Sequence, residues 1–187
     1  MLKKIIIKNY KVFRDFTLEL NPGMNVIVGD NDVGKSNLLE AINLALTGRL
    51  RGNQIAAELS PFLINLDATR QYIAAMRSRR TAIPPEILIE VYFDDTDDLA
   101  ALKGTNNSLR EAAPGVKVRI AFNDDFLDEY AEYVRDPAQI TWVPTEYYQV
   151  DWSNFAGSAV TARGVPATAS LIDATAIRLQ NGADAYL

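Results

Sequence analysis

Residues 29–36 read Gly-Asp-Asn-Asp-Val-Gly-Lys-Ser, a complete G-x-x-x-x-G-K-[ST] pattern, and this octapeptide constrains the chain more than any other feature. The pattern works only where a strand delivers the chain to the first glycine and a helix opens at the lysine. Both flanks are legible. Met24-Asn25-Val26-Ile27-Val28 is a short β-branched apolar run and predicts a strand ending at Gly29. Leu38, Leu39, Ile42 and Leu46 recur at helical spacing with Ala41 and Ala45 between them, and Gly48 stands where the helix should end.

The chemistry expected of such a turn follows from its residue types. Gly29 and Gly34 allow the backbone to bend so that successive N–H groups point inward at phosphate oxygens. The helix opening near Lys35 adds the positive end of its dipole. Lys35 would reach the β- and γ-phosphates of a nucleotide as a compact point charge, and the Ser36 hydroxyl would be a ligand of the bridging Mg²⁺. Asp30, Asn31 and Asp32 fill positions where Asp and Asn tolerate turn conformations, and Val33 and Asn37 complete the candidate nucleotide contacts on the loop.

A chain of 187 residues suits one domain that buries roughly 70 per cent of its unfolded surface. It contains neither cysteine nor histidine, which excludes disulfides, thiolate metal sites and imidazole bases. Any catalysis must therefore run on carboxylates, Lys, Arg, Ser, Thr and a bound metal. No apolar run approaches the 18 or so residues of a membrane span, so a cytoplasmic location is expected. The net charge of −5 argues against a nucleic-acid surface over the whole chain. Arg70, Arg77, Arg79 and Arg80 form the densest basic stripe and read as a solvated helix face.

The remaining periodicities predict a β-rich fold around the loop. Ile5 to Ile7 reads as a buried strand, and Phe16, Leu18 and Leu20 as the inward positions of a half-buried one. Asp67 to Arg80 is a helical candidate, preceded at Ser60-Pro61 by a short helical turn. Ile87, Ile89, Val91 and Phe93 share one face of a strand, as do Val116, Val118, Ile120 and Phe122. These two one-sided strands predict an antiparallel layer. Asp124 to Val134 predicts a helix, Tyr147 to Trp152 a strand, and 154–169 a loop. Leu171 to Leu187 carries helical spacing without a cap and reads as an interrupted sequence. The fold class expected is α/β: a P-loop NTPase with a mixed or antiparallel β layer beside the nucleotide core.

A hydrolysing P-loop enzyme usually carries a second acidic metal site at a buried strand end. The segment Leu88 to Asp95 is the nearest match, but Glu90 interrupts its apolar run where a central strand would not welcome a charge. Asp94 and Asp95, continued by Asp97 and Asp98, read better as an acidic turn, and Asp124-Asp125 reads the same way. No N-K-x-D base-reading segment occurs. Three functional classes stay open on the residues alone: part of a larger ATPase, a non-catalytic nucleotide-binding or oligomerisation module, and a self-contained small NTPase or kinase.

Three segments together resemble one family. Ile7-Lys8-Asn9-Tyr10-Lys11-Val12-Phe13, Leu20 through Gly29, and Gly34 through Ile42 look like the N-terminal lobe of ABC-type ATPase heads of the SMC and RecF kind. Leu59-Ser60-Pro61-Phe62 and Pro144 through Tyr148, followed by Val150-Asp151-Trp152, narrow the resemblance to OLD-family ATP-dependent endonucleases. The resemblance implies that residues 1–187 are the N-terminal portion of an ABC-type or AAA-like ATPase domain. The second acidic motif, the signature motif and a Toprim nuclease domain would then lie outside it. It further implies an intact protein that acts on DNA in repair or in defence against foreign DNA, closes as a homodimer on ATP, and has little activity from this portion alone. The family's early Asn-Phe-Arg is Asn9-Tyr10-Lys11 here, so a nucleotide contact by Lys11 would be a single-point ammonium contact instead of a guanidinium fork.

Overall fold

The computed structural model describes residues 1–30, 34–78, 80, 82–161 and 164–165. In chain order its elements are β1 (Leu2–Tyr10), β2 (Phe13–Glu19), α1 (Lys35–Thr47), β3 (Arg49–Leu50), β4 (Asn53–Gln54), α2 (Leu66–Arg77), β5 (Ile87–Phe93), β6 (Lys103–Gly104), β7 (Ala113–Phe122), α3 (Leu127–Tyr133) and β8 (Tyr148–Asn154). Six of the strands form one sheet in the order β2-β1-β5-β7-β6, with β8 also paired to β7. Every pairing among them is antiparallel. The antiparallel layer expected from the alternating runs is thus the main sheet of the described residues.

One face of this sheet carries the core. Ile5 and Ile7 of β1, Ile89 and Val91 of β5, and Val116 and Val118 of β7 are fully buried, and Leu38, Ala41, Leu44 and Ala45 of α1 pack in the same cluster. Each such Ile, Val or Leu side chain contributes roughly 1.5–3 kcal/mol by leaving water, which fixes α1 on the sheet through its inward stripe. The opposite face holds a smaller cluster of Ile6, Tyr92 and Phe155.

That second cluster corrects one expectation. β5 is buried along its whole length, not one-sided, and Glu90 stands inside it at 1% exposure. The charge is tolerated because its carboxylate is saturated with donors. Ser108 N–H donates at 2.7 Å, Ser108 Oγ at 2.6 Å and the Tyr92 hydroxyl at 2.9 Å. Burial first, and Glu90's charge and hydrogen bond next, push the Tyr92 phenol upward, so it stays a donor.

A second correction concerns Met24–Val28. The run is not a strand: it has no ladder partner among the described residues, and Met24, Val26 and Val28 are 89%, 74% and 83% exposed. β-propensity marks residues that fit a pleated surface, and without a neighbouring strand there is no such surface to fit. The helices at 67–80 and 124–134 and the strand at 147–152 are present within a few residues of the expected bounds. The helical spacing at Leu171–Leu187 and residues 162–163 and 166–169 of the expected loop lie outside the described residues.

Candidate functional site

The phosphate-loop pattern leads into α1, as its spacing requires. Gly34 is the N-cap residue at φ 100°, ψ 9°, a left-handed conformation that favours glycine, and no side chain caps the helix. The first-turn N–H groups of an α-helix have no intrahelical acceptor, so this end is an open set of donors at the positive end of the dipole. No acidic residue stands in the first turn to compete with an anion. Asn31, Asp32 and Val33 lie outside the described residues. Gly29 and Asp30 are described through their carbonyls, which accept from the Lys35 ammonium at 2.5 Å each. The lysine therefore lies folded over its own loop, with Ser36 and Asn37 in the first turn beside it.

A wall of the site comes from the β1–β2 turn. A Cβ added to Gly34 would stand 2.7 Å from Val12 Cγ2 and 3.1 Å from Phe13 Cζ, so the turn packs directly on the helix entry. Tyr10 pairs with Phe13 across the two-residue turn Lys11-Val12. Lys11 adopts φ 48°, and its N–H donates to Leu63 O at 2.8 Å while its carbonyl accepts from Asn65 Nδ2 at 2.8 Å. Asn65 also caps α2, accepting from Asp67 N–H and Ala68 N–H. One asparagine thus ties the start of α2 to the turn that walls the phosphate loop.

Lys11 itself is engaged. Its ammonium forms an ion pair with Glu40 of α1, and both side chains are mostly covered. The Tyr10 hydroxyl donates to the same Glu40 Oε1 at 2.5 Å. Burial, followed by the hydrogen bond to Glu40, pushes the Tyr10 phenol up, so this tyrosine stays protonated. Sequence reading missed two residues of this neighbourhood, Glu40 and Arg51. Arg51 occupies the left-handed first position of the β3–β4 turn at φ 52°, before Gly52 at φ 86°. Its charge reaches Tyr10, and it lines a cavity of about 390 Å³ together with Lys11, Glu58, Ser60 and Phe62. Gly52 is a turn signal readable in sequence, but nothing there says that the turn folds back beside Lys11.

Two of the acidic candidates form ion pairs. Asp94 pairs with the Met1 amino group at 3.3 Å and Asp95 with Lys103 at 2.5 Å. Among the described residues no group of three acidic side chains could hold a metal ion. Of the arginine stripe, Arg70 pairs with Asp67 and Arg77 donates to the Ile140 carbonyl. No described helix is long and apolar enough to cross a membrane.

A family model described as "AAA domain" matches residues 4–141, most of the chain. The chain belongs to the AAA domain family. Over shorter stretches it is similar to DNA replication and repair protein RecF of Acetivibrio thermocellus, at 32% identity over 36% of this chain and 17% of that protein. It is similar to RecF of Lactococcus lactis at 47% over 25% of this chain and 13% of that protein. The DNA double-strand break repair Rad50 ATPase of Archaeoglobus fulgidus matches at 44% over 26% of this chain and 5% of that protein. The matches thus span less than a fifth of the length of each of these curated relatives. A solved chain reported under "Structural biochemistry of ATP-driven dimerization and DNA stimulated activation of SMC ATPases" aligns with 88% of this chain and 74% of itself, at 17% identity and a TM-score of 0.44. The RecF and Rad50 matches carry the broader resemblance, to an ABC-type ATPase head of the RecF and Rad50 kind.

Proposed function

We propose that this AAA domain is the ATP-binding lobe of a DNA-repair ATPase of the RecF, Rad50 and SMC kind. The observation that carries the reading is the uncapped N-terminus of α1, opened by left-handed Gly34 with Lys35 folded over the loop carbonyls. Such an arrangement stabilises polyanions, because backbone donors, helix dipole and ammonium converge on one point. Gly29 to Ser36, with Asn37, would hold the triphosphate, and Lys35 would exchange two carbonyl acceptors for phosphate oxygens. Ser36 would be a Mg²⁺ ligand, and the metal would neutralise charge on the transferring phosphoryl group. Lys11 would reach the nucleotide from the β1–β2 turn on leaving Glu40. In the narrower reading the intact protein is an OLD-like ATP-dependent endonuclease. It would close as a homodimer on ATP and process DNA in repair or phage defence, with its remaining ATPase motifs and its Toprim nuclease outside residues 1–187.

Calorimetric titration with ATP and Mg²⁺ tests the site. Lys35→Ala should lower affinity about a hundredfold, the equivalent of roughly 3 kcal/mol for a charge-assisted contact to phosphate, with the fold intact. Equal affinities in the two proteins would remove the phosphate-loop assignment.

A further inference from the structure

The helix that opens at the phosphate loop is gripped at its other end by a residue far away in sequence. α1 has 13 residues, so it is a rod about 20 Å long. At its C-terminus Gly48 turns left-handed at φ 66° and returns its N–H to Leu44 O at 2.8 Å. The last carbonyls of a helix still need donors. The Trp152 indole N–H supplies one, donating to Ala45 O at 2.9 Å from 107 residues away. Its ring lies so close over Gly48 that an added Cβ would be 2.6 Å from Cε3.

Trp152 belongs to β8, where it pairs with Val118 of β7, and its own carbonyl accepts from Val160 N–H at 3.0 Å. Beside the indole lies a cavity of about 390 Å³, lined also by Thr47, Ile55, Val150 and Val160. The ring can therefore follow an axial shift of α1 without a clash on that side. At the opposite end of the rod, Val12 and Phe13 pack on Gly34. An anion that draws the first turn of α1 toward itself must either stretch the Trp152 bond or move β8 with the helix.

We propose that Trp152 is a positioning residue that couples occupancy of the phosphate loop to strand β8 and to the chain that leaves it. The proposal rests on the ATP-binding reading, and its test separates the two. The chain has two tryptophans, so Trp142→Phe leaves Trp152 as the reporter of its own surroundings. Addition of ATP and Mg²⁺ to that variant should shift its emission, and the same addition to the Lys35→Ala form should not. In the otherwise unaltered protein, Trp152→Phe should tighten ATP binding by up to about fivefold, the factor matching the net worth of the one hydrogen bond that binding no longer has to stretch. Ser153→Ala, on the opposite face of the same strand, should leave affinity unchanged. ATP binding seen by calorimetry with unmoved Trp152 emission overturns the coupling, as does a Trp152→Phe protein of unaltered affinity. Should Trp152→Phe fail to fold, the emission measurement decides alone, because it leaves the indole in place. Absence of any ATP heat in the unaltered protein refutes the phosphate-loop reading instead.

Discussion

Replacement of Glu90 separates a buried structural carboxylate from a metal-site acid. Glu90 Oε1 accepts from the Ser108 N–H, while Oε2 accepts from two hydroxyls, Ser108 Oγ and Tyr92. Gln can keep all three contacts. Its carbonyl takes the place of Oε1, and its NH₂ donates to the two hydroxyl oxygens, which accept as readily as they donate. What Glu90→Gln loses is charge assistance, and what it relieves is the cost of a buried charge, so the net should be within about 1 kcal/mol. Glu90→Ala has no such exit. It strands the Ser108 N–H and both hydroxyls beside a new void in a strand buried on both faces, an expected loss of about 3–4 kcal/mol. For a chain of this size each kcal/mol moves the midpoint by roughly 2–4 °C, giving about 2–4 °C for Gln and about 6–16 °C for Ala. Calorimetric or circular-dichroism melting reads both values. Equal losses in the two variants would refute the hydrogen-bond argument. A Gln variant as stable as expected but without Mg²⁺-dependent ATP affinity would make Glu90 the metal-site acid after all.

Asp94→Asn with Asp95→Asn should leave Mg²⁺-dependent ATP affinity unchanged by calorimetry, because these carboxylates serve the amino terminus and Lys103. Gly34→Ala should abolish most ATP binding in the same assay, since its Cβ would strike Val12 at 2.7 Å and φ 100° strains any L-residue; retained affinity would show that the turn does not wall the site. Asn65→Ala should lower the melting midpoint by about 2–4 °C through the lost cap of about 1 kcal/mol, and should weaken ATP binding too if the Lys11 turn loosens with it. Phosphate release by the 187-residue chain at saturating ATP and Mg²⁺ should be negligible, because Lys35 and Ser36 supply only part of the charge neutralisation and water positioning that hydrolysis needs. Turnover near ~1 per second that Lys35→Ala abolishes would instead promote a self-contained NTPase.

The parts of the fold that the sequence disclosed are those governed by local period and local backbone freedom. α1 announced itself by apolar residues at helical spacing and by Gly48, and the structure ends the helix at Thr47 with Gly48 left-handed. The antiparallel sheet followed from the apolar runs of β5 and β7, although β5 proved buried on both faces. What stayed hidden depends on partners far along the chain. Glu90 looked wrong for a buried strand because its donor Ser108 lies 18 residues later. Met24–Val28 looked right for a strand because propensity registers side chains and cannot register the ladder partner that a strand also requires.

The same distinction explains why the candidate phosphate loop is legible in the sequence and its surroundings are not. The octapeptide encodes its own geometry: a left-handed glycine, an uncapped helix start and a lysine long enough to lie over the loop. Its walls come from elsewhere. Val12 and Phe13 press on Gly34, Glu40 holds both Lys11 and Tyr10, Asn65 pins the turn, and Trp152 holds the far end of the helix. Each of these contacts joins α1 or the β1–β2 turn to a different part of the chain. A displacement at the loop therefore has no route that leaves the sheet unmoved, except by breaking one of them. Glu40 is the contact most open to exchange, because a bound triphosphate would offer the ammonium it holds a second anionic acceptor. The indole bond to Ala45 O is the least open, because the carbonyl it satisfies has no other donor within the helix.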